Sequence, residues 1–217
     1  MSHTDLPPRL MRQRARAHVG PAIDCGSPEA NAEKEVATFG FWVFMMSDAV
    51  LFAVLFATFG AMIVGTDGGP GLSDVTSIER AFVMTMVLLA SSLTSGFVSV
   101  ALDRREGRRA VLLWLGATLA LGVLFVGLEA IEVRGLLSEG ASPQRSGFLS
   151  AFFVLIGTHG LHVSLGVLWG AILAAQVATL GLDARVTSRL VRFTLYWHFL
   201  DIVWIGIMTF VYLAGSL

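Results

Sequence analysis

Hydrophobic residues along this chain come in long blocks, not in the short alternating runs of soluble strands. A membrane-spanning helix needs about 20 mostly apolar residues in succession. Five blocks reach that length. Residues 36–64 contain one acid, Asp48, and residues 193–215 contain one, Asp201. Residues 81–102, 110–128 and 146–178 contain no Asp, Glu, Lys or Arg. The third block runs on past Glu129 and Glu132 to Arg134. The fourth exceeds the minimum length, which predicts tilt or protrusion. The expected fold class is all-α, a polytopic membrane protein of five transmembrane helices.

Composition points the same way. The chain has 217 residues, 55% of them hydrophobic and 14% charged, against about 25% charged in soluble domains. Its net charge of −1 gives no global field to recruit nucleic acid. The single cysteine, Cys25, rules out an intrachain disulfide or a CxxC pair. Residues 1–35 differ from the rest: they hold Pro7, Pro8, Pro21, Pro28 and four arginines, with no apolar run. They lack the h-region of a cleaved signal peptide. The expected organisation is a mostly disordered, basic cytoplasmic tail over residues 1–35, followed by a five-helix membrane domain over residues 36–217.

Basic residues set the direction. Arg9, Arg12, Arg14, Arg16 and Lys34 precede the first block. Arg104, Arg105, Arg108 and Arg109 lie between the second and third, and Arg185, Arg189 and Arg192 in the loop expected between the fourth and fifth. These segments fall on one side and hold 12 of the 15 basic residues. Arg80, Arg134 and Arg145 remain for the other. The N-terminus is therefore expected in the cytoplasm and the C-terminus on the periplasmic side. Small residues mark candidate packing seams: Ser91, Ser95 and Ser99 in the second block, and Gly166 and Gly170 in the fourth.

Ionisable side chains at membrane depth cost at least about 2.5–3.5 kcal/mol at a helix centre, so each requires a reason. Asp48 lies 12 residues into its block, about 18 Å along a helix. Asp201 has a similar depth, and His198 shares its face. His159 and His162 share a face of the fourth helix, and Glu129 and Glu132 a face near the outer end of the third. Four readings compete. The histidines could ligate haem or copper, but no thiolate or methionine constellation accompanies them. The acids and histidines could form a proton path. Asp48, His159, His162, His198 and Asp201 could form interhelical hydrogen bonds that fix the bundle. Or these residues, with Glu129, could contact a lipid headgroup or a partner subunit. Arg134 and Arg145 are available to pair with Glu129 and Glu132. Trp197 and Trp204 fall on the side of Asp201. No nucleotide-binding or nucleophile motif is present. No catalytic, cofactor-binding or metal site is assigned to the chain.

Four segments carry a family resemblance. FGFWVFMMSDAVLFAVLFATFGAM (39–62), GLEAIEV (127–133), RSGFLSAFFVLIGTHGLHVSLGVLWG (145–170) and YWHFLDIVWIGIMTFVYLAGS (196–216) occur in order. They resemble subunit III of the quinol-oxidising haem–copper oxidases. The resemblance implies a non-catalytic accessory subunit in a bacterial inner-membrane terminal oxidase that reduces oxygen and pumps protons. It implies subunits I, II and IV as partners, haem and copper in subunit I and none here, ubiquinol as the complex's substrate, and bound phospholipid. In the cytochrome c-oxidising branch the position of Asp48 resembles a carbodiimide-reactive Glu, and that branch commonly has seven spans. Five spans and an Asp favour the quinol branch. A cytochrome c oxidase subunit III and a stand-alone transporter are the alternatives.

Overall fold

The computed structural model describes residues 28–216, and among them every regular element is a helix, with no strand. The expectation of a disordered tail, Cys25 included, falls mainly on residues 1–27, outside the described residues. The helices are α1 (Pro28–Met62), the single turn α2 (Leu72–Val75), α3 (Ile78–Asp103), α4 (Arg108–Ser138), α5 (Gly147–Leu180) and α6 (Ala184–Ile207). A π-helical turn, Met208–Leu213, and a 3-10 turn, Ala214–Ser216, prolong α6. Five of these helices are long and apolar enough to cross a membrane. They are the five expected from the sequence.

Local chemistry sets the ends. Pro28 occupies the first position of α1, where a missing N–H costs nothing. The Ser146 hydroxyl accepts from Leu149 N at 3.2 Å and caps α5. The Asp183 carboxylate accepts from Ala184 N at 2.8 Å and caps α6. The ends of α3 and α4 share one closure. Glu106 N donates to Ala101 O and Arg105 N to Leu102 O; Ala141 N donates to Leu136 O and Gly140 N to Leu137 O. This closure needs a left-handed residue, which is Gly140 in one case and, at greater conformational cost, Arg105 in the other.

One boundary corrects the sequence reading. The arginine-bearing stretch expected as a loop, 183–192, is the beginning of α6. Val186 and Leu190 are buried there, while Arg185 and Arg189 are exposed. The arginines lie on one face of amphipathic opening turns, so they interrupt the hydropathy without interrupting the helix.

The turns of α1 before Phe44 form one unit, with Val36, Phe39, Trp42 and Val43 all exposed. In the unit from Phe44 onward, α3 packs on α4, α4 on α5, α5 on α6, and α6 back on α3. That closes a four-helix ring. From Phe44 onward the α1 backbone makes few close approaches to the ring, and aromatic side chains bridge the gap. Phe52 meets His159, His162 and Phe199, Phe56 meets Phe210, and Phe59 meets Phe148.

Small residues inside the ring make room for rings rather than for backbones. A Cβ at Gly122 would lie 2.8 Å from the Trp197 indole, and one at Gly166 would lie 3.0 Å from the same ring. Gly116, on the same helix as Gly122, faces open space. Gly122→Ala is therefore expected to destabilise the fold by about 1–3 kcal/mol through overpacking. Gly116→Ala is expected to be neutral or to gain up to about 1 kcal/mol in helix propensity. Thermal unfolding of the two variants in detergent checks the contrast.

Candidate functional site

The ionisable residues expected to matter all lie on the facing sides of helices, and polar side chains between helices determine what each can do. Two chains of hydrogen bonds join α6 to α3. Trp197 Nε1 donates to Ser91 Oγ at 3.1 Å, and Ser91 Oγ donates to Thr118 O on α4 at 3.0 Å. About two turns further along, Trp204 Nε1 donates to Thr85 Oγ1 at 3.0 Å. Between them, Ser92 Oγ lies 2.6 Å from His198 Nδ1, and Asp201 lies against the same hydroxyl. His198 and Asp201, which share a face in the sequence reading, thus share one serine.

Asp48 and His162 meet across the gap between α1 and α5. His162 Nδ1 lies 2.7 Å from Thr158 O. A carbonyl only accepts, so Nδ1 carries the hydrogen, and Nε2 is the nitrogen left to face Asp48. Asp48 Oδ2 lies 3.6 Å from that nitrogen, ion-pair range but beyond a direct hydrogen bond. Tyr196 of α6 donates to the His162 carbonyl at 3.1 Å. This pair is the ion pair found within 4 Å among the described residues.

His159, one turn from His162, points into the ring and is 0% exposed. Phe52 and Phe125 pack edge-on to it, and Trp204 lies tilted over it at 5.4 Å. Neither of its ring nitrogens has a hydrogen-bond partner. Glu129 is 5% exposed, and both its oxygens are also without a partner. Its carboxyl fits against α5 because position 160 is glycine: a Cβ there would lie 2.5 Å from Glu129 Oε2. Glu132, 5% exposed, accepts from Tyr212 Oη at 3.1 Å through Oε2, and its Oε1 is unpartnered.

The pairing considered for Arg134 and Arg145 is corrected here. Tyr212 is the hydrogen-bond donor to Glu132, and Arg80 is the cation in electrostatic range. Arg145 instead bonds Gly140 O and lies beside position 69 in the interhelical loops. Tyr212 was invisible to a search for charged residues in apolar runs. So were Ser92 and Gly160, which are ordinary membrane-helix residues until the helices are packed.

Among the described residues no three His, Cys, Asp or Glu side chains are grouped to hold a metal ion. His159 faces the aromatic interior, His162 faces α1, and His198 faces Ser92 on α3. The arrangement can hold protons and hydrogen-bond helices together.

Known proteins match this sequence along most of the chain. The family model described as "Cytochrome c oxidase subunit III" matches residues 26–216. "Cytochrome bo(3) ubiquinol oxidase subunit 3" of Pseudomonas aeruginosa is 46% identical over 179 residues, covering 82% of this chain and 85% of that one. Its counterpart from Pseudomonas putida is 43% identical, covering 84% and 88%. "Probable quinol oxidase subunit 3" of Staphylococcus epidermidis is 41% identical, covering 84% and 91%. The chain belongs to the cytochrome c oxidase subunit III family.

Proposed function

We propose that this chain is the accessory third subunit of a proton-pumping bacterial ubiquinol oxidase. The observation that carries the reading is the 46% identity, over 82% of the chain, to a relative named as subunit 3 of a ubiquinol oxidase. The donor follows the relatives, whose printed names specify quinol. Catalysis then belongs to the complex, with haem and copper in subunit I, and subunits I, II and IV are the partners. The location is the bacterial inner membrane, with the arginine-rich loops in the cytoplasm and the C-terminus in the periplasm.

Burial supports an accessory role. Only 11% of the most apolar window of α1 is buried within the chain, against 50% for the last span. A helix so little covered by its own chain suits packing against subunit I. Phospholipid filling the space where α1 stands off would steady that contact. Asp48 and His162 form a polar tie between α1 and α5, and their role in this reading is structural.

Purification tests the assignment. The chain is expected to co-purify with a haem- and copper-bearing subunit, and isolated chain to show no haem spectrum. Recovery of a monodisperse chain from native membranes without that partner would overturn the assignment. Topology is tested separately. A reporter that folds only in the cytoplasm is expected to be silent after Leu217 and active when inserted in the loop after Asp103. The reverse pattern would invert the orientation.

Asp48→Asn preserves the shape and most of the hydrogen bonding but removes the exchangeable proton. The variant is expected to assemble and to pump with a near-normal proton-to-electron ratio, any defect appearing as inactivation during turnover. Proton release per oxygen consumed, measured in sealed vesicles, decides the point. Loss of the whole pumped component at unchanged subunit composition would make Asp48 a proton relay instead.

A further inference from the structure

A furrow on the outer face of the ring, between α3 and α6, is left unused by the reading above. It has a volume of 500 Å³, and Leu89, Ser92, Leu93, Gly96, Phe97 and His198 are among the residues that line it. That volume lies in the range of small-ligand sites, about 300–1,000 Å³. The positions on α3 recur at spacings of three and four, so they form one face of the helix. Leu93 is 61% exposed, and a Cβ at Gly96 would meet nothing within 4 Å. Phe97 supplies an aromatic wall, backed by the Trp114 ring 4.6 Å away. Ser92 lies 11 residues from the Asp103 end of α3, about 16 Å, and 14 from the Ile78 end, about 21 Å. The 26 residues of α3 extend about 39 Å, so in a hydrocarbon core about 30 Å thick Ser92 lies about 12 Å inside the nearer face. Phospholipid headgroups stay outside that depth.

The furrow nonetheless carries a polar chain. His198 Nδ1 lies 2.6 Å from Ser92 Oγ, and the buried Asp201 lies against the same hydroxyl. His198 is half-buried, and its Nε2 has no hydrogen-bond partner among the described residues. A serine hydroxyl has one hydrogen to give, so the chain has two orders. With Asp201 ionised, Ser92 donates to it and accepts from His198 Nδ1–H, and Nε2 is an acceptor. With Asp201 protonated, the acid donates to Ser92, Ser92 donates to Nδ1, and Nε2 carries the hydrogen. The same imidazole edge thus meets a hydroxyl in one order and a carbonyl in the other. We infer that this furrow binds one prenylated benzoquinone, in both its quinol and its quinone form. The molecule has a flat ring to lie against Phe97 and a hydrocarbon tail to run along Leu89 and Leu93. Its ring oxygen donates to His198 as a quinol and accepts from it as a quinone. An acyl chain offers His198 neither a donor nor an acceptor. The site holds the molecule, and its oxidation belongs to the cofactor-bearing subunit. The inference deepens the proposed function, in which ubiquinol is the donor, and rests on that reading.

The test is photoaffinity labelling of the intact complex, as it purifies with this chain, by an azido analogue of ubiquinone with a ten-carbon tail. Mass spectrometry of tryptic peptides locates the label. Cleavage after Arg80 and Arg104 isolates residues 81–104, which carry the α3 side of the furrow. Wild type is expected to be labelled in this peptide. Decylubiquinone is expected to displace the label about tenfold more effectively than decylbenzene, which has a ring and a tail but no oxygen. Gly96→Leu fills the furrow and leaves the Ser92–His198 bond in place, and it is expected to reduce labelling about tenfold or more. His198→Phe, which removes both nitrogens, is expected to do the same. Gly116→Leu, at an exposed position of α4 outside the furrow, is expected to leave labelling unchanged. Undiminished labelling in Gly96→Leu overturns the site, and so does equal displacement by decylbenzene. An unlabelled 81–104 peptide in wild type overturns it as well, which is the result if a partner helix fills the furrow. The haem spectrum of the same preparations keeps the two readings apart. Absence of a haem-bearing partner would refute the proposed function, whereas its presence without specific labelling would refute only the furrow.

Discussion

Two indole N–H groups on one face of α6 hold the ring of four helices closed. Lipid is as apolar as the leucines it touches, so burial alone gives helices no reason to associate in a membrane. Close packing and hydrogen bonds must supply it. Trp197 reaches Ser91, Ser91 reaches the Thr118 carbonyl, and Trp204 reaches Thr85. Each such bond is worth only about 0.6–2 kcal/mol. Together they fix the rotation of α6 against α3, and that rotation decides where His198 and Asp201 point. The glycines at 122 and 166 belong to the same arrangement, because without them the Trp197 ring has no space.

The contrast with α1 is instructive. From Phe44 onward, phenylalanines reach from it to the ring, and Asp48 faces His162 at 3.6 Å. A helix fixed this loosely within its own chain takes its final position from what surrounds it. The division of labour is consistent with an accessory subunit: a self-sufficient ring, and an added helix whose exposed face suits other subunits.

Much of this was legible before any coordinates. Apolar runs of about twenty residues or more, with at most one acid in each, can only be spanning helices or deeply buried ones, so the five spans followed from length and composition. The start of α6 did not, because Arg185, Arg189 and Arg192 lower hydropathy even when they share one face of a helix. The unusual residues were equally visible, since an Asp, Glu or His within an apolar block has no ordinary explanation. Their partners were not. Ser92 and His198 are 106 positions apart, and nothing in a serine's local context says which helix will face it. Tyr212 also escaped notice. The wider π-helical turn buries Val211 and Tyr212 side by side, which a regular α-helical projection does not anticipate.

Gly160 and Glu129 illustrate a different kind of dependence. The carboxyl of one occupies the volume that a methyl group on the other would fill. Neither residue can change freely while its neighbour stays as it is: an alanine at 160 requires a shorter or displaced side chain at 129. A shorter side chain at 129 leaves a hollow beside the glycine. The two positions, 31 residues apart in the chain, therefore share one volume between two helices.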